Sequence, residues 1–121
     1  MTLKVSEQVP PVGTKLIVDD NANATAKTSV TGAAGSIFQI DVDNSGNGDN
    51  ACFLKIYDNP SPVIGTTAPD LIFKVPVNIK LSVVCPDGIA FNDLSFAVLT
   101  QGGTAGTVSP TAPVIVKMVT T

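Results

Sequence analysis

The chain has 121 residues, enough for one domain that buries about two-thirds of its unfolded surface without a metal or a disulfide. Hydrophobic residues make up 44% and charged residues only 14%, which excludes a disordered, self-repelling chain. All seven cations are lysine, histidine is absent and the net charge is −3; the chain therefore lacks arginine's phosphate-binding fork, the commonest general base and the commonest transition-metal ligand.

Met1–Gly13 reads as an extended arm, because Pro10-Pro11 blocks helix and favours a polyproline conformation. Val9, Pro10 and Pro11 are its candidate contacts with a neighbouring subunit. Residues 14–121 read as one domain. Lys15–Val18 is a short strand, and the polar run Asp19–Thr28 is a loop or exposed edge. In Ser36–Asp43, Phe38, Ile40 and Val42 share one face and Ile37, Gln39 and Asp41 the other. Asn44–Asn50, NSGNGDN, predicts a tight hairpin into Ala51–Asp58. There Cys52, Leu54 and Ile56 point one way, and Phe53, Lys55 and Tyr57 the other. Asn59–Asp70 contains Pro60, Pro62, Gly65 and Pro69, so it predicts a link that crosses between sheets.

Asp70–Val75 is the next strand, with Leu71, Phe73 and Val75 alternating against Ile72 and Lys74. Val77–Cys85 alternates in the same way, and Pro86-Asp87-Gly88 predicts a turn. Leu94–Thr100 and Pro113–Thr120 complete the set, separated by the flexible stretch Gln101–Ser109. About seven strands with turn signals every 8–15 residues predict an all-β antiparallel sandwich, jelly-roll or immunoglobulin-like. Lys55, Lys74, Lys80 and Lys117 occupy solvent-phase positions and would guard against edge-to-edge association. Ile37, Phe53, Ile72, Ile115 and Val119 fall at outward, apolar positions and are the candidate interface residues.

Asp41, Asp43 and Ser45, followed by Gly46, match the start of a calcium loop, with Asp49 as a further oxygen ligand. The twelfth place, which needs a bidentate acid, holds Cys52, so a polar hairpin with solvated carboxylates is favoured. Asp87 and Asp93 are the only carboxylates that suggest a pair. Asp87 sits in turn chemistry and no nucleophile–base set exists, so no enzymatic activity, cofactor or metal is expected. A glycan site would need exposed aromatic platforms, and the chain has no Trp and only Tyr57. Cys52 and Cys85 lie in phase with apolar residues. Two free thiols are favoured, and spacing leaves a bridge open.

Four runs carry a resemblance: Phe53–Asp58 (FLKIYD), Gly65–Leu71 (GTTAPDL), Asp87–Phe91 (DGIAF) and Leu94–Val98 (LSFAV). Together they resemble a family of small tailed-phage virion proteins, over roughly residues 36–101. Asp93 stands where the family often has glycine before Leu-Ser. The resemblance implies a β-sandwich subunit of the particle, a head decoration (cement) protein residing in the virion and made in the host cytoplasm. Its partners would be the major capsid protein lattice and further copies of itself, with no nucleic acid and no membrane. Capsid symmetry, rather than any residue, suggests trimers. The alternative is a tail or fibre adhesion module acting through the loops Asn44–Asn50, Asn59–Ala68 and Gln101–Ser109.

Overall fold

The structure, a computed structural model, describes Leu3 and residues 13–121. The predicted arm, with Val9, Pro10 and Pro11, lies outside the described residues apart from Leu3 and Gly13. Seven strands form the fold: β1 (Lys15–Ala22), β2 (Gly35–Asp43), β3 (Cys52–Asp58), β4 (Leu71–Val75), β5 (Lys80–Phe91), β6 (Leu94–Leu99) and β7 (Val114–Thr120). They make two antiparallel sheets, of order β1-β7-β2-β5 and β4-β3-β6. The inner faces meet in one core built around Ile40, Val42, Leu54, Ile56, Phe96, Val98, Val116 and Met118.

After Ala22 the chain leaves the larger sheet and runs along β6. Lys27 and Phe96 exchange backbone hydrogen bonds (2.9 and 3.0 Å), and the Val98 amide donates to Asn23 O (2.9 Å). With this segment as an eighth strand, the first four segments pair with the last four in reverse order. β1 meets β7, residues 23–30 meet β6, β2 meets β5, and β3 meets β4. Such a nested hairpin rolled into two sheets is the jelly-roll arrangement, which selects between the two predicted sandwiches.

Two connections are the reverse of what the sequence predicts. Asn44–Asn50 joins strands of different sheets and is a corner, not a hairpin, whereas Asn59–Asp70 joins β3 to β4, which pair with each other. The corner is held by buried side chains. Asn44 Nδ2 donates to Asn50 O (3.1 Å) and Pro76 O (3.0 Å); Asn47 Nδ2 donates to Asn44 Oδ1 (3.0 Å) and Ala112 O (3.1 Å). The Ala112 amide donates back to Asn47 Oδ1 (2.8 Å). These asparagines thus replace a hairpin's backbone ladder with side-chain bonds to three separate segments.

Pro86-Asp87-Gly88 is not a turn but a bulge inside β5. Ile37 pairs with Ile89 and Gln39 with Val84, so residues 85–88 lie opposite Phe38 alone. A second bulge, in β2 itself, reverses that strand's phase: Ile37 pairs with Thr120 and Gln39 with Val119 of β7, so Phe38 is an extra residue. Ile37 points into the core, 1% exposed, together with Ile40 and Val42, while Phe38 is displaced from it. Its ring lies against Gly88, which has φ +77°. β5 begins only at Lys80, because Asn78 takes a left-handed φ of 63° and turns the chain; Val77 and Ile79 are exposed.

Candidate functional site

The outer face of the four-stranded sheet brings together four of the sequence-predicted candidates, Asp41, Asp43, Ile115 and Val119. Register places Leu16, Val119, Gln39 and Val84 in one row across the strands. The next row holds Val18, Lys117, Asp41 and Ser82, and a third holds Ile115, Asp43 and Lys80. Leu16, Val18 and Val84 are 68%, 55% and 66% exposed, and Ile115 and Val119 are half-buried beside them. Through the middle runs a polar seam. Gln39 Nε2 donates to Asp41 Oδ2 (3.0 Å), Ser82 Oγ donates to Asp41 Oδ1, and Lys80 pairs with Asp43 (3.8 Å). The seam borders a shallow hollow of about 260 Å³ lined by Asp41, Asp43, Lys80, Ser82, Ile115 and Lys117.

The calcium candidates do not assemble. Asp41 is bonded to Gln39 and Ser82, and Asp43 accepts the Ser45 amide (2.9 Å) besides facing Lys80. Those contacts, led by the Ser45 hydrogen bonds, hold the Asp43 carboxyl below its ordinary value. Asp49 lines a different hollow, with Asn47 and Ala112. Among the described residues, no three His, Cys, Asp or Glu side chains are grouped to hold a metal.

The predicted interface residues divide among four environments. Ile115 and Val119 lie on the face just described. Ile72 is exposed on the opposite side of the molecule, on the outer face of the three-stranded sheet. Phe53 is half-buried beside Gly102, and Ile37 is in the core because of the β2 bulge. Leu16, Val18 and Val84 were not among the candidates. The alternation of Leu16 and Val18 with Ile17 marked them as outward, as did the place of Val84 between Val83 and Cys85.

The largest departure concerns Lys55. Its place on the outer face of β3 predicts solvent, yet it is 0% exposed and its Nζ has no hydrogen-bond partner among the described residues; the hydroxyl of Tyr57, on the same face of β3, is also buried and unpartnered there. The Pro-rich loop after β3 and the loop after β6 close over this face. Ile64 packs on Tyr57, Ala97 and Leu99, and Gly65 faces Thr107 so closely that a β-carbon on Gly65 would stand 2.7 Å from Cγ2. Burial lowers the Lys55 amine and raises the Tyr57 phenol relative to their ordinary values.

Asp87 is exposed within the β5 bulge, and Asp93 lies in the β5–β6 turn. The Asn92 and Asp93 amides both donate to Asp58 Oδ1 (2.8 Å each), so the carboxylate that organises this end is Asp58. Both cysteines are free, with Cys52 buried. Comparison of the chain with protein-family models, with characterised proteins and with solved structures finds no match.

Proposed function

We propose that the protein is a structural subunit of a tailed-phage particle, a head decoration (cement) protein that binds the capsid lattice and neighbouring copies through the outer face of its four-stranded sheet. The observation that carries this reading is the exposure of Leu16, Val18 and Val84 in adjoining rows beside Val119 and Ile115. An apolar surface of this kind, crossed by a few polar groups, suits burial against another chain. The seam of Asp41, Asp43, Lys80 and Lys117 carries both signs of charge, which would fix register against a partner rather than repel it. The resemblance over residues 36–101 supports a phage particle as the setting. The jelly roll is compatible with a shell component, but it serves lectins and cupins too and does not choose among them.

The test is binding of the purified protein to shells that lack it. Leu16→Asp and Val84→Asp each place a carboxylate on the apolar rows and are expected to abolish occupancy while leaving the fold intact. Full occupancy by both variants would overturn the assignment of this face. Binding of the isolated protein to host cells, with no affinity for shells, would replace the decoration reading with that of a tail adhesin.

A further inference from the structure

Among the described residues, Lys55 lies where a cation has no company. Its cross-strand neighbours are Ile72 on β4 and Ala97 on β6, both apolar. On β3 itself the nearest titratable group on the same face is Tyr57, whose hydroxyl donates to nothing. β4 adds only another cation, Lys74, opposite Phe53. β6 brings Ser95, Ala97 and Leu99 to this face. The loop from Asn59 to Pro69 has no charged residue, and neither does the stretch from Thr100 to Pro113.

The flanking charges are committed elsewhere. Asp58 receives the Asn92 and Asp93 amides, Asp70 receives the Asp58 amide, and Lys27 pairs with Asp19 at 3.7 Å. Among the described residues an ammonium sealed in such surroundings finds no counter-ion and no hydrogen-bond acceptor, and its charged form is disfavoured.

We propose that the two uncharged loops form a lid over Lys55 whose closure is set by the proton on that amine: the neutral amine lies sealed beneath the loops, and the ammonium opens them to water. Within the two loops the hydrogen bonds are local: the Thr66 and Thr67 amides donate to Val63 O, the Val63 amide to Thr67 Oγ1, the Ser61 amide to Asn59 Oδ1, and the Thr100 amide and hydroxyl to Val108 O. The loop ends are pinned, with Asn59 O accepting from Ser95 Oγ, Ser109 Oγ from the Ala24 amide, and Ala112 bonded both ways to Asn47; between those pins the apolar hold is the small cluster of Ile64 with Tyr57, Ala97 and Leu99. Lifting the lid would leave the main core between the sheets undisturbed.

The sign follows from the lowered amine. The closed state binds the proton more weakly than the open one. Closure therefore strengthens as pH rises from the closed-state pKa toward the ordinary lysine value of about 10.4, and the penalty is constant below that window.

Amide hydrogen exchange of the whole chain at about neutral pH, with wild type against Lys55→Met, tests the lid. Methionine keeps the buried stem and removes the charge. Exchange at Thr66, Thr67 and Thr100 should slow in the variant by about tenfold for each unit by which the native amine is depressed, with β7 amides unchanged. Should the variant fail to fold, an NMR titration of the Lys55 Cε resonances in the wild type replaces it. The Tyr57, Ile64 and Thr107 resonances should then move with the same midpoint, below the ordinary lysine value. Loop exchange equal in the two proteins, a Lys55 midpoint at or above about 10.4, or loop resonances indifferent to that midpoint would each overturn the lid.

Discussion

Cys52 and Cys85 show how burial sets chemistry one side chain at a time. Cys52 faces the core from the first position of β3, and loss of hydration pushes its thiol up to about 11. Cys85 is only half-buried, next to the β5 bulge. In the native protein a thiol reagent should therefore modify Cys85 well before Cys52, whose reaction should wait for unfolding; mass mapping of the labelled sites checks this order. Equal labelling rates would contradict the burial of Cys52. At the same scale, Asn47 both donates to and accepts from Ala112 and holds Asn44 in place. Asn47→Ala leaves several buried groups without partners and should cost about 2–4 kcal/mol in urea denaturation.

Elements depend on how they depart from regularity. The extra residue Phe38 in β2 puts Ile37 in the core, and the β5 bulge that sets residues 85–88 against it needs Gly88 with its positive φ. A β-carbon on Gly88 would also stand 3.0 Å from both the Phe38 ring and Ser36 Cβ. Gly88→Ala should therefore destabilise the fold by about 1–3 kcal/mol, measured by thermal or urea unfolding. The added crowding would be partly relieved in a Phe38→Ala background, so the two substitutions should be non-additive. Asn44–Asn50 and Asn59–Asp70 make the complementary point. The glycine-rich turn became a corner because its asparagines bond across segments, and the proline-rich link became a lid because β3 and β4 are neighbours.

For the molecule as a whole, rolling a nested hairpin gives both sheets an inner face that meets in one core and leaves two unlike outer faces. One is closed by uncharged loops over Lys55 and Tyr57; the other leaves Leu16, Val18 and Val84 in water. The second face should make the free protein associate at high concentration. Val84→Asp should reduce that association in sedimentation velocity while shifting the unfolding free energy by no more than about 0.5 kcal/mol, as expected for an exposed site. A strictly monomeric wild type would remove the physical basis for an assembly role.

Alternation and turn chemistry by themselves determined the class of fold, the number of strands and most of their positions. A period of two, punctuated by glycine and proline, leaves little else for a chain without helical periodicity. The absence of histidine and arginine was equally legible. Only the tertiary structure decided which strands share a sheet, where the bulge reverses the phase of β2, and that loops seal Lys55. The pattern within a strand says that two residues face the same side, but what covers that side comes from segments distant in the chain. A single inserted residue at Phe38 moves its neighbours across the sheet without leaving a signal in local composition.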